Sequence, residues 1–150
     1  MKFSASTIAA ALVLTASAAP AEQQSKRAPV TGKSNGSIFM FGDTNKCRQT
    51  FWQYGACGLS TYFADKVDKN MPLIAMPSGT FDRYGQAQDN KLCGKVITMT
   101  HNGVTRKAVV ADENTSSEQT IDMCLENWQA FGGHDNDGTL IRNINWSIAA

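Results

Sequence analysis

Four cysteines, Cys47, Cys57, Cys93 and Cys124, constrain this chain most, and the first twenty residues decide what they can do. Lys2 supplies a charged start, and Ile8 to Leu14 is a short apolar run. Ala16-Ser17-Ala18-Ala19 then offers small residues before Pro20. That order marks a cleaved secretory leader, because signal peptidase accepts only small side chains at its cut. Residues 1–19 are read as signal peptide. Residues 20–27 are read as a pro-segment ending in Lys26-Arg27, a dibasic pair of the fungal kexin-processed type. In the oxidising compartment beyond, an even number of cysteines argues for two disulfides, and the count alone leaves three pairings open. A metal centre does not fit. There is no Cys-x-x-Cys pair, and His101 and His134 are distant in sequence from each other and from any cysteine.

With 150 residues, of which 42% are hydrophobic, the chain has room for one domain with a real core. Losing Lys2, Lys26 and Arg27 against Glu22 takes the formal charge from +1 to −1. That balance gives no footprint for nucleic acid or anionic lipid. No apolar run reaches the ~18 residues of a membrane span. No cofactor is implied, and the domain is expected to be monomeric.

Residues 28–35 are polar and read as a flexible lead-in to a domain over 36–150. Ser37 to Phe41 reads as a first strand closed by Gly42-Asp43, and Leu73 to Met76 as a second between two prolines. Thr44 to Gly58 reads as loop. Ser78 to Tyr84 reads as a helical turn capped by Ser78. Lys95–His101 and Val104–Asp112 flank Asn102-Gly103, the turn pair that tolerates positive φ, and so predict a hairpin. Thr120-Ile121-Asp122 leads into a helix over Met123–Phe131, with Leu125, Trp128 and Phe131 on one face and Gly132-Gly133 as its stop. Leu140–Ile148 alternates as a last strand. About six short strands and a short helix predict a small β-barrel.

Four stretches carry a family resemblance: Gly55-Ala56-Cys57-Gly58; Leu73 to Ser78 with Phe81-Asp82; Cys93 to Ile97 with the Asn102-Gly103 hairpin; and Val109 to Asp112, then Ile121-Asp122 and Asn145 to Ile148. In this order they resemble the RlpA-like double-psi β-barrel family of loosenins, barwin, expansins and family 45 endoglucanases, in its fungal secreted form. The resemblance implies a six-stranded double-psi β-barrel with one or two short helices. It also implies the pairings Cys57–Cys93 and Cys47–Cys124.

The resemblance points to Asp112, after the Val-Val strand, and Asp122, before the helix, as the residues for any catalysis. Asp122 also suits a helix N-terminus, where it would cap backbone N–H groups, and Asp112 suits a strand-end turn. Relatives carry a cysteine- or proline-bearing segment after the first aspartate, where this chain has Glu113 to Ser117. They carry a threonine on the first strand, where this chain has Ile38 to Phe41. Asp43 matches an early second aspartate only in position, and reads as a turn. Trp52 and Tyr54 are the best rings for stacking on sugars, with Tyr84 and Tyr62 behind them. Trp128 and Trp146 read as core. Asn35, Asn114 and Asn145 head Asn-x-Ser glycosylation sequons.

Three functions follow from the resemblance. The first is a secreted, non-hydrolytic, expansin- or loosenin-like protein. It binds cell-wall polysaccharide in a shallow groove lined by Trp52, Tyr54, Tyr84, Asp112 and Asp122. The second is a secreted effector or cysteine-protease inhibitor whose partner is an extracellular host protein. The third is a weak glycan-cleaving enzyme, a hydrolase or lytic transglycosylase. It requires carboxyl groups ~5–5.5 Å apart for retention or ~6.5–9.5 Å for inversion.

Overall fold

A computed structural model describes residues 28–149; the expected signal peptide and the expected pro-segment with Lys26-Arg27 lie outside the described residues. The first strand, β1 (Val30–Met40), starts well before Ser37, so the expected flexible lead-in is strand from Val30 onward. Its two glycines explain how a polar stretch enters the barrel wall. A Cβ at Gly32 would lie 2.4 Å from the Trp146 ring, and one at Gly36 2.6 Å from Ile144 and Met123. Large side chains from other strands fill the space these glycines leave.

Helix α1 (Thr44–Tyr54) replaces the loop expected there. Asp43 caps it, its Oδ1 accepting from the N–H groups of Asn45 (2.8 Å) and Lys46 (3.2 Å). Only Cys47 and Phe51, one turn apart, are fully buried on α1, so its apolar stripe is too thin to stand out in sequence. A short α2 (Leu59–Tyr62) follows, then β2 (Leu73–Pro77) and α3 (Ser78–Phe81), before which Pro77 rather than Ser78 holds the cap position. The hairpin is as expected: β3 (Val96–His101) and β4 (Val104–Asn114) meet at Asn102 (φ 46°) and Gly103 (φ 80°). Strand β5 (Ile121–Cys124) takes the start of the predicted helix, leaving α4 only Leu125–Ala130, and β6 (Ile141–Ile148) ends the barrel.

The strands close in the order β1-β5-β2-β4-β3-β6. Pairs β1/β5 and β2/β4 are parallel and the other four antiparallel. This is the expected six-stranded double-psi barrel, with four short helices among the described residues rather than one or two. Ile74, Ile97, Met99, Val110, Ile121, Met123 and Ile144 are fully buried, and Trp128 and Trp146 join the core as predicted. The disulfides are Cys47–Cys124 and Cys57–Cys93, with Cα atoms 5.8 and 5.3 Å apart. The first ties α1 to the end of β5. The second ties the segment after α1 to the lead into β3.

Candidate functional site

Register places the two predicted carboxylates. Ile38, Met123, Ile74 and Val110 pair across β1, β5, β2 and β4 and point inward. The next residue along each strand points outward. On three strands these are Ser37, Asp122 and Ala75, paired in register. On β4 simple alternation would put Ala111 there. Instead the register shifts by one, and Asp112 pairs with Ala75. This extra residue, a β-bulge in a parallel pair, turns Asp112 onto the outer face. The outcome is a row, Ser37–Asp122–Ala75–Asp112, across four strands. Two strand spacings separate the aspartates, about 9.5 Å between Cα atoms.

Each carboxylate is held by one oxygen. Asp112 Oδ1 accepts from the N–H groups of Ala56 (2.7 Å) and Glu113 (2.8 Å). The Ala56 donor is there because the chain after α1 runs tight against β4. Cys57 N–H donates to Ala111 O at 3.1 Å, and a Cβ on Gly55 would lie 2.4 Å from that same oxygen. Only glycine permits that approach. Asp122 Oδ1 accepts from the Ser37 hydroxyl and, at 3.4 Å, from the Thr120 hydroxyl. Asn114 Nδ2 in turn donates to Thr120 O (3.0 Å) and Oγ1 (3.1 Å). In both aspartates the accepting atom is Oδ1; Oδ2 accepts none of these bonds.

Asp122 lies inside β5, and the position before α4 belongs to Cys124, so the expected helix cap is corrected to a hydroxyl-bound strand residue. Burial raises the Asp112 pKa, against the Ala56 and Glu113 N–H bonds that lower it. Burial also raises the Asp122 pKa, the Ser37 and Thr120 hydroxyls oppose it, and the Asp112 charge adds to the rise. Glu113 moves up as well, through burial and then the charges of Asp82 and Asp112. Carboxyl oxygens held in this way can accept from the hydroxyl groups of a ligand.

The aromatic candidates disperse. Tyr54 is 79% exposed and lies two residues before Ala56, at the end of α1. Trp52 lines a separate polar cleft with Arg48, Lys69 and Glu126, and the Arg48 guanidinium sits 5.4 Å over its ring. Tyr84 lies in another cleft, beside Lys33, Arg83 and Trp146. Asp43 is spent on capping α1. Asn145 is an exposed strand residue, while Asn114 is buried with its amide committed to Thr120. Sequence reasoning missed Ser37, Thr120, Ala75 and the Ala56 N–H. Ser37, one residue before the run searched for a threonine, was the legible one. Among the described residues no three His, Cys, Asp or Glu side chains are grouped to hold a metal, and no helix is long and apolar enough to cross a membrane.

No protein-family model and no curated protein matches the chain. Solved structures do. The Streptomyces papain inhibitor superposes with a TM-score of 0.52 at 19% identity, over 81% of this chain and 96% of that one. A point mutant of Clavibacter michiganensis expansin, in complex with cellohexaose, superposes with a TM-score of 0.50 at 16% identity. That match covers 81% of this chain but 51% of the expansin. At these identities the likeness is one of fold.

Proposed function

We propose that the chain is a secreted, non-hydrolytic protein that binds cell-wall polysaccharide in a shallow groove over the Ser37–Asp122–Ala75–Asp112 row. The observation that carries this reading is the row itself. The bulge at Ala111 brings Asp112 into line with Asp122, with buried Ala75 paired to both between them. Only Oδ1 of each aspartate is used in holding the row, and Tyr54, two residues before the Ala56 donor, is exposed. Binding without cleavage is supported by the sequence around the row: Glu113 to Ser117 stands where relatives carry cysteine or proline, and Asp43, the early second aspartate, is committed to capping α1. The test is retention on insoluble cellulose and chitin, with release of new reducing ends followed in parallel. Retention that falls in Asp112→Asn and Asp122→Asn, with no new ends, supports the reading. Equal retention of wild type and both variants overturns it.

A second reading, a protein-binding effector or cysteine-protease inhibitor, is favoured by the likeness to the papain inhibitor over nearly all of that protein's length. Inhibition of papain by the wild type, unaffected by Asp112→Asn or Asp122→Asn, would support it over glycan binding.

A further inference from the structure

Three clefts follow one another along the outside of β1. The first, about 460 Å³, is lined by Lys33, Asn35, Arg83 and Asn143 among others. The second shares Lys33 and Arg83 with it and adds Tyr84. The third shares Tyr84 with the second and adds Lys91 and Lys95. Shared walls make them one trench. It follows β1 from Asn35 back to Val30, roughly 17 Å at the rise of a strand. Among the described residues four cations line it and no carboxylate does. Asp82, next to Arg83 in sequence, is not among the residues lining it. A nearly neutral domain thus keeps its paired carboxylates on one stretch of wall and these cations on the next.

We propose that this trench is a second binding site, for a polysaccharide carrying carboxylate groups, a polyuronate. Lys33, Arg83, Lys91 and Lys95 are strung along it, which suits a ligand with charge repeated along its length. An acidic peptide fits less well. Extended peptides bind best by adding a strand to a free sheet edge, and β1 is paired on both sides, to β5 and β6. The side-chain amides of Asn35 and Asn143 provide donors for sugar hydroxyls at the mouth. There the trench meets the carboxylate row, because Asn35 lies two residues from Ser37 on the same strand.

The choice of a polysaccharide rests on the glycan reading above; the cationic trench does not. The test is binding of the secreted chain to polygalacturonate by calorimetry, with poly-glutamate as the acidic peptide and insoluble cellulose as the neutral glycan. Lys33 and Arg83 are exposed, so the double variant Lys33→Gln/Arg83→Gln keeps the fold, checked by its unfolding temperature. The proposal expects polygalacturonate binding that weakens with added salt. The double variant should lose about tenfold or more in affinity, from two lost charge-assisted contacts, with retention on cellulose unchanged. Asp122→Asn should leave polygalacturonate binding intact even where cellulose retention is lost, which separates failure of the row from failure of the trench. No wild-type binding at low salt, equal binding by the double variant, or equally tight binding of poly-glutamate would each overturn it.

Discussion

Replacing Asp122 with asparagine should stabilise the fold at neutral pH while it weakens ligand binding. Burial is the largest influence on this carboxyl and raises its pKa; the Ser37 and Thr120 hydroxyls oppose it, and Asp112 adds to it. The net direction is upward, so the folded chain holds the Asp122 proton more tightly than the unfolded chain does. The stability this group contributes is therefore full below the ordinary carboxylate range and is lost as pH rises through the raised value. Asparagine is neutral throughout, and its Oδ1 can still accept from Ser37, so the variant escapes that loss. Relief of this kind is worth about 0.5–2 kcal/mol. For a domain of this size about 1 kcal/mol moves Tm by about 4 °C. The assay is thermal unfolding by circular dichroism from about pH 3 to about pH 7, in non-reducing buffer so both disulfides stay closed. Variant and wild type should unfold together at the acid end, with the variant a few degrees higher at neutral pH. A variant less stable at neutral pH, or a difference independent of pH, refutes the reasoning. It would mean that the Ser37 hydrogen bond outweighs burial.

Gly55→Ala places a Cβ 2.4 Å from Ala111 O and 2.6 Å from Phe51 O. It should cost about 1–3 kcal/mol, seen as a lower denaturant midpoint. It should also weaken glycan retention, because Ala56 N–H moves with the displaced chain. Replacing Cys57 and Cys93 together by serine opens a link of sequence separation 36. On chain entropy this costs about 4 kcal/mol, measurable by urea unfolding against wild type. Peptide mass mapping of the chain expressed through a eukaryotic secretory pathway should find Asn114 without a glycan, because its Nδ2 is buried on Thr120. A sugar found there contradicts that geometry.

What was legible in the sequence was what local chemistry dictates. Asn102-Gly103 demanded a hairpin because few other residues accept both positive φ values, and the alternation of β6 holds from Ile144 to Ile148, past the positive φ of Asn143. Helix α1 was hidden because only Cys47 and Phe51 are fully buried, while Trp52 is half-buried and Tyr54 exposed, so no clear apolar stripe forms. Residues 28–35 read as a flexible tail because they are polar and carry Pro29 and Gly32. In the fold Gly32 and Gly36 are places where Trp146, Ile144 and Met123 press against backbone. That need is set by residues more than eighty positions away and leaves no local trace.

The carboxylate row shows the same limit at the site itself. Strict alternation along Val109–Asp112 puts Val110 and Asp112 on one face and predicts an inward aspartate. The structure breaks that alternation at Ala111, and the cause lies outside β4. Gly55 brings the chain after α1 against β4, Cys57 N–H bonds Ala111 O, and Ala56 N–H receives the Asp112 carboxylate that the bulge has turned outward. The Cys57–Cys93 link fastens the same segment to the lead into β3. The Gly-Ala-Cys stretch that suggested the family is thus the part of the chain that holds Asp112 in line with Asp122. If the bulge depends on this contact, Gly55→Ala should disturb Asp112 first and leave the Ser37–Asp122 pair on the other side of Ala75 intact. Carboxyl NMR titration can read this directly: a moved Asp112 resonance beside an unmoved Asp122 upholds the dependence, and two unmoved resonances refute it.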